Sequence, residues 1–67
     1  MIEVVINGIP EELAEQVSIA DLLVARGLAG KRVAVEQNGE IVPKSRHADT
    51  MLDAGNRIEI VVAVGGG

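Results

Sequence analysis

Ile58-Glu59-Ile60-Val61-Val62-Ala63-Val64-Gly65-Gly66-Gly67 is the stretch from which the rest of the sequence is best read. Ile58, Ile60, Val62 and Val64 alternate with Glu59, Val61 and Ala63, the period of two that marks a half-buried strand. The spacing predicts that Ile58, Ile60 and Val62 face a core and that Glu59, Val61 and Ala63 face outward. The strand runs without a polar linker into three glycines. Glycine removes the side chain and maximises backbone freedom, so a triple glycine costs entropy in a fold and adds no packing. A frayed terminus is the ordinary reading of such a run. Two features weigh against it. The glycines extend directly from the strand, and residues 60–67 carry no charged side chain. A slim, neutral, flexible tail over 65–67 can thread a channel that any Cβ would block. Gly65 and Gly66 then serve access, and Gly67 brings its α-carboxylate to a partner's active site.

A carboxylate is a poor electrophile and must be activated, for instance by adenylation, before a sulfur or nitrogen nucleophile can attack its carbonyl. The phosphate-cradling and dinucleotide glycine patterns are both missing from this sequence. Activation is therefore expected from a partner that uses ATP, with no cofactor bound by the chain itself.

Working outward, Asp53-Ala54-Gly55-Asn56 reads as the turn that feeds the last strand. Val33 and Val35 alternate with Arg32, Ala34 and Glu36, giving another strand. Asn38-Gly39 is a hairpin signal, and Ile41-Val42 a brief strand stopped by Pro43. Lys44 to Thr50 is polar and irregular. At the other end Ile2, Val4 and Ile6 mark a strand, closed by a second hairpin signal, Asn7-Gly8. Pro10 extends that loop, and Glu11 to Val17 fits a returning edge strand. Its alternation is imperfect unless Glu15 turns inward or a bulge intervenes. Ser18 is a helix N-cap with Asp21 three residues on, flanked by Val17 and Leu22 at the staple positions. Ile19, Leu22 and Leu23 share one helix face, and Gly27 is placed to end the helix. The order strand, strand, helix, strand, strand, strand predicts one α+β domain over residues 1–67, with one main helix packed on a mixed sheet of four to five strands.

Composition agrees with a small aliphatic core. Apolar residues make up 48% of the sequence, with no aromatic residue and no cysteine, so neither disulfides nor thiolate-bound metal can support the fold. The net charge is −4, and Arg26, Lys31, Arg32, Lys44, Arg46 and Arg57 are scattered along the chain. Without a basic stripe or a stacking platform, nucleic acid is not an expected partner. No apolar run is long enough to span a membrane, and the N-terminus has no signal-peptide pattern, which points to the cytoplasm.

Enzymatic readings find little support. His47 stands between Ser45 and Asp49, but a catalytic triad requires an oriented base and an oxyanion site, so a solvated polar loop is the favoured reading. One histidine and no cysteine argue against zinc. Glu11, Glu12 and Glu15 read as a solvated face. The chain is expected to be acted on, and not to be an enzyme.

Several segments together resemble the ThiS family of sulfur carriers, within the MoaD/ThiS superfamily. These are Met1-Ile2-Glu3-Val4-Val5-Ile6-Asn7-Gly8, Ser18-Ile19-Ala20-Asp21-Leu22-Leu23, Val33 to Pro43, Leu52 to Arg57, and the terminal stretch quoted first. The resemblance covers essentially the whole chain and implies a ubiquitin-like β-grasp fold. It also implies that a ThiF-like adenylyltransferase uses ATP to convert Gly67 to an acyl-adenylate. A sulfur donor system then yields a thiocarboxylate, which a ThiG-like thiazole synthase uses in thiamine biosynthesis. Gly66 and Gly67 match the family's glycine pair, and Gly65 is an addition. The family's frequent aromatics near the helix or last strand are missing. In this fold the sheet face away from the helix usually meets partners, which makes Glu59, Val61 and Ala63 candidate docking residues. An exposed Val61 is equally compatible with a lone surface valine. A MoaD-like subunit of molybdopterin synthase and a ubiquitin-like protein modifier are the alternative readings.

Overall fold

The computed structural model describes residues 1–63, and the glycine tail expected at 65–67 lies outside the described residues. The described elements are β1 (Ile2–Ile6), β2 (Ile9–Leu13), α1 (Ile19–Ala25), β3 (Val33–Gln37), β4 (Glu40–Val42), a 3-10 turn (Lys44–Arg46) and β5 (Arg57–Val62). The strands form one mixed sheet in the order β2-β1-β5-β3-β4. β1 and β5 run parallel, while β3 pairs antiparallel with both β4 and β5. β5, last in sequence, is thus central in space.

Both hairpins turn on Asn-Gly. Asn7 and Gly8 have φ of 52° and 82°, and Asn38 and Gly39 have 53° and 86°. Positive φ at both central positions gives the type I′ turn, whose twist matches that of the strands it joins. Such a tight turn lets pairing resume at once, so Ile9 lies opposite Ile6 and Pro10 opposite Val5. The returning strand therefore occupies residues 9–13, not the expected 11–17. Pro10 belongs to the strand, not to an extended loop. It sits in an edge strand and at a non-hydrogen-bonded pair, where its missing N–H costs the ladder nothing. Because the strand ends at Leu13, neither a bulge nor an inward Glu15 is needed.

The N-cap at Ser18 forms a full capping box. Its Oγ accepts from the Asp21 N–H at 3.0 Å, and its own N–H donates to the Asp21 carboxylate at 3.4 Å. The Ile19 and Ala20 amides donate to the carbonyls of Thr50 and His47 at 2.9 and 3.0 Å. Every orphan donor at the start of this two-turn helix is thereby satisfied, partly by a distant loop. At the other end the Leu28 N–H donates to the Leu23 carbonyl and the Gly27 N–H to that of Val24, the Schellman arrangement, with Gly27 at φ 73°.

Val4, Ile6, Ile19, Leu22, Leu23, Val35, Leu52, Ile58 and Ile60 form the core between helix and sheet. Val62 departs from the expected inward set, being 39% exposed. Its register partner Val33 is only half-buried, so this pair marks the margin of the core at the tail end. His47 also departs from expectation. It is 7% exposed, with Nε2 3.0 Å from the Val42 carbonyl. Its own carbonyl caps the helix, so the residue is drawn inward to tie the end of β4 to the start of α1.

Candidate functional site

The site is built around the end of β5, the last described strand before the glycine stretch. Two asparagine side chains tether this strand. Asn7 Oδ1 accepts from the Ile60 N–H at 2.7 Å, and Asn7 Nδ2 donates to the Ile60 carbonyl at 3.3 Å. Asn38 Oδ1 accepts from the Arg57 N–H at 2.8 Å. Each asparagine therefore does two jobs, setting a left-handed turn and holding β5. At the exit, Val62 pairs with Val33, and the Ala63 N–H donates to the Arg32 carbonyl at 2.9 Å. The strand is held on the β1 side as far as Ile60 and on the β3 side as far as Ala63.

Glu59, Val61 and Ala63 are all exposed, as the alternation predicts, and Val61 is 62% exposed. Residues directly opposite in a sheet share a face, so the register extends this surface. Ala34 lies opposite Val61, Glu36 opposite Glu59, and Ile41 opposite Glu36. Ile41 is 72% exposed. The sheet face away from the helix thus presents Val61, Ala34 and Ile41 beside the Glu36–Glu59 pair. Glu3 and Glu12 form a second like-charged pair farther from the tail. Like charges directly opposite destabilise a sheet, so these pairs cost stability that the fold offsets elsewhere.

The structure does not bring Ser45, His47 and Asp49 together as a reactive set. Ser45 and Asp49 are exposed, while the His47 ring is committed inward to a carbonyl. Glu11 is half-buried and pairs with Arg26, and Glu12 and Glu15 are exposed. Among the described residues no group of three His, Cys, Asp or Glu could hold a metal ion, and no helix is long and apolar enough to cross a membrane. Gly65, Gly66 and Gly67 lie outside the described residues. Sequence reading missed Ala34, Glu36 and Ile41 because strand alternation gives the face of each strand but not which strands are neighbours. It missed the tethering role of Asn7 and Asn38 because the Asn-Gly signal is local and their partners are not.

Comparison with known proteins places this geometry. Residues 4–67 match the model of the ThiS family. The chain is 46% identical over 50 residues to the sulfur carrier protein ThiS of Bacillus subtilis, covering 75% of this chain and 76% of that protein. It is 40% identical over 65 residues to a thiazole synthase of Paramagnetospirillum magneticum, covering 97% of this chain. The chain spans about a fifth of the length of the thiazole synthases it matches. Among solved structures, the crystal structure of the thiamine biosynthesis protein ThiS from Geobacter metallireducens superposes with a TM-score of 0.83 at 30% identity. That match covers 98% of this chain and all of the other.

Proposed function

Because this chain belongs to the ThiS family, we propose that it is a sulfur carrier for thiazole formation in thiamine biosynthesis, and that the α-carboxylate of Gly67 is the group that carries the sulfur. The observation that carries this reading is the extent of the family match, which runs through the glycine stretch to residue 67. The β-grasp domain beneath it, matched by a ThiS crystal structure, supports the same reading. It also favours the thiazole pathway over the molybdopterin alternative.

The chemistry follows from what the tail lacks and a partner supplies. The Gly67 carboxylate attacks the α-phosphorus of ATP on an adenylating partner, forming an acyl-adenylate and releasing pyrophosphate. A sulfide-level nucleophile then attacks the acyl carbon, AMP leaves, and the product is a thiocarboxylate. The chain's own part is mechanical. The two asparagine tethers and the β3–β5 ladder hold the strand, and the tail extends from its end. Gly65 and Gly66 keep the approach to the reacting carbon narrow. Glu59, Val61 and Ala63, joined by Ala34, Glu36 and Ile41, form the docking face for the partners. A thiazole synthase-like partner is supported by relatives of that name in which a similar stretch is part of one longer polypeptide.

Deleting Gly67 is the test. The deleted chain is expected to fold as before and to elicit no ATP-dependent pyrophosphate release from the adenylating partner. Undiminished release would refute the assignment of Gly67. Lysine-linked conjugates in extracts, without any thiocarboxylate, would favour a protein modifier instead.

A further inference from the structure

A groove of about 410 Å³ lies beside the end of β5, bordered by Val61, Ala34 and Ala63 of the sheet and floored by residues of the helix end and the loop that follows it. Its apolar lining includes Leu23, Leu28 and Val33, contributed by the helix, its Schellman turn and the start of β3. Lys31, Arg32 and Lys44 also line it, and none of its described lining residues is acidic. Half of the six Lys and Arg side chains of a chain with net charge −4 are therefore gathered at one concavity. The only ion pair among the described residues, Arg26 with Glu11, lies elsewhere. This concentration stands against the acidic sheet face, where Glu36 and Glu59 sit side by side.

We propose that this groove is a second docking surface, and that it receives an acidic, apolar segment of the same partner protein that activates the tail. The identity of that partner rests on the carrier reading above; the chemistry of its segment rests on the groove. Apolar side chains of the segment fill the space lined by Leu23, Leu28 and Val33, while carboxylates meet Lys31, Arg32 and Lys44. Three observations favour a protein segment over a small ligand. The groove is open and continuous with the docking face through Val61 and Ala63. Its cations are long, exposed side chains that steer charge without fixing one orientation. Its one buried polar side chain, His47, already has its Nε2 engaged by the Val42 carbonyl. A partner gripping the groove and the sheet face together holds β5 from two sides, which aims the tail. Charges at the rim of an interface act mainly through encounter rate and salt dependence.

The test uses the full chain, the ThiF-like adenylyltransferase and ATP, with pyrophosphate release as the readout. The K31E/R32E/K44E variant is expected to raise the KM for the chain at least tenfold, leave kcat within about twofold, and flatten the dependence of KM on salt. All three positions are exposed, so the melting temperature should not fall, and a thermal scan checks this. Arg46→Glu is a single-reversal control, matched to Lys44→Glu alone: it lies in the same 3-10 turn as Lys44 but does not line the groove, and should change KM less than twofold while Lys44→Glu changes it more. An unchanged KM in the triple variant, with normal turnover of the wild-type chain, overturns the groove proposal alone. Saturable binding of AMP or inorganic phosphate to the isolated chain, lost in the triple variant, overturns the protein occupant. No pyrophosphate release with the wild-type chain overturns the carrier reading and this partner with it.

Discussion

Replacing Asn7 with glycine removes the tether on β5 while keeping the turn. Asn7 has φ 52°, a conformation glycine adopts freely, so the type I′ hairpin survives. What goes is the 2.7 Å bond to the Ile60 N–H and the 3.3 Å bond to the Ile60 carbonyl. Leaving a partly buried N–H without a partner costs about 1–3 kcal/mol, and the longer bond adds about 0.5 kcal/mol. Relief of the left-handed conformation and the extra freedom of unfolded glycine roughly offset each other at under about 1 kcal/mol each. The expected loss is about 2–3 kcal/mol, or roughly 8–24 °C in melting temperature for a domain of this size. That is a large part of the total stability of about 3–10 kcal/mol expected for so short a chain. Asn38→Gly is the internal comparison. It sits in the same kind of turn at φ 53° but loses one exposed bond, to the Arg57 N–H, and should cost only about 0.5–1 kcal/mol. Urea unfolding of both variants, with hydrogen exchange at the Ile60 amide, measures the difference. Equal losses in the two variants, or unchanged protection at Ile60, would refute the idea that Asn7 holds the tail-bearing strand.

Other expectations concern the caps, the acidic face and the tail. Ser18→Ala removes the capping oxygen and should cost about 1 kcal/mol by urea unfolding. His47→Ala loses the contact to the Val42 carbonyl and opens space between β4 and α1. A loss of about 1–3 kcal/mol is expected, and a neutral result would return His47 to the role of a solvated loop residue. Glu36→Lys converts the repulsion with Glu59 into attraction and should stabilise the domain by about 0.2–1 kcal/mol while weakening activation by the partner. A gain in stability with unchanged KM would remove Glu36 from the docking face. Adding one alanine after Gly67 moves the carboxylate off the glycine and should abolish activation, with an unchanged melting temperature separating this from a loss of folding.

The elements that read correctly from sequence are those whose signals are local. Alternation at Ile2–Ile6 and Ile58–Ile60, the two Asn-Gly turns, Ser18 with Asp21, and Gly27 each carry their own structural reason within a few residues. What was not legible depends on distant partners. Pro10 reads as a loop residue until β2 is known to be an edge with the proline nitrogen pointing away from β1. His47 reads as solvated until the loop 47–52 is seen to supply carbonyls to the helix start. Val62 continues a buried alternation in sequence, yet it reaches the margin of the core. The exposed sheet face proposed for docking was half legible: Glu59, Val61 and Ala63 follow from period two, while Glu36, Ala34 and Ile41 require the strand order. The groove was not legible at all, because Lys31, Arg32 and Lys44 come from two separate loops.

Everything proposed for the tail depends on sulfur being carried on the carboxyl group of Gly67. The most direct test is the intact mass of the chain after incubation with the adenylating partner, ATP and a sulfide source. The expected result is a mass change equal to replacing one oxygen with sulfur, mapped to the C-terminal peptide and lost when Gly67 is deleted. An unmodified chain under conditions where that partner is active, or sulfur located anywhere other than Gly67, would contradict it.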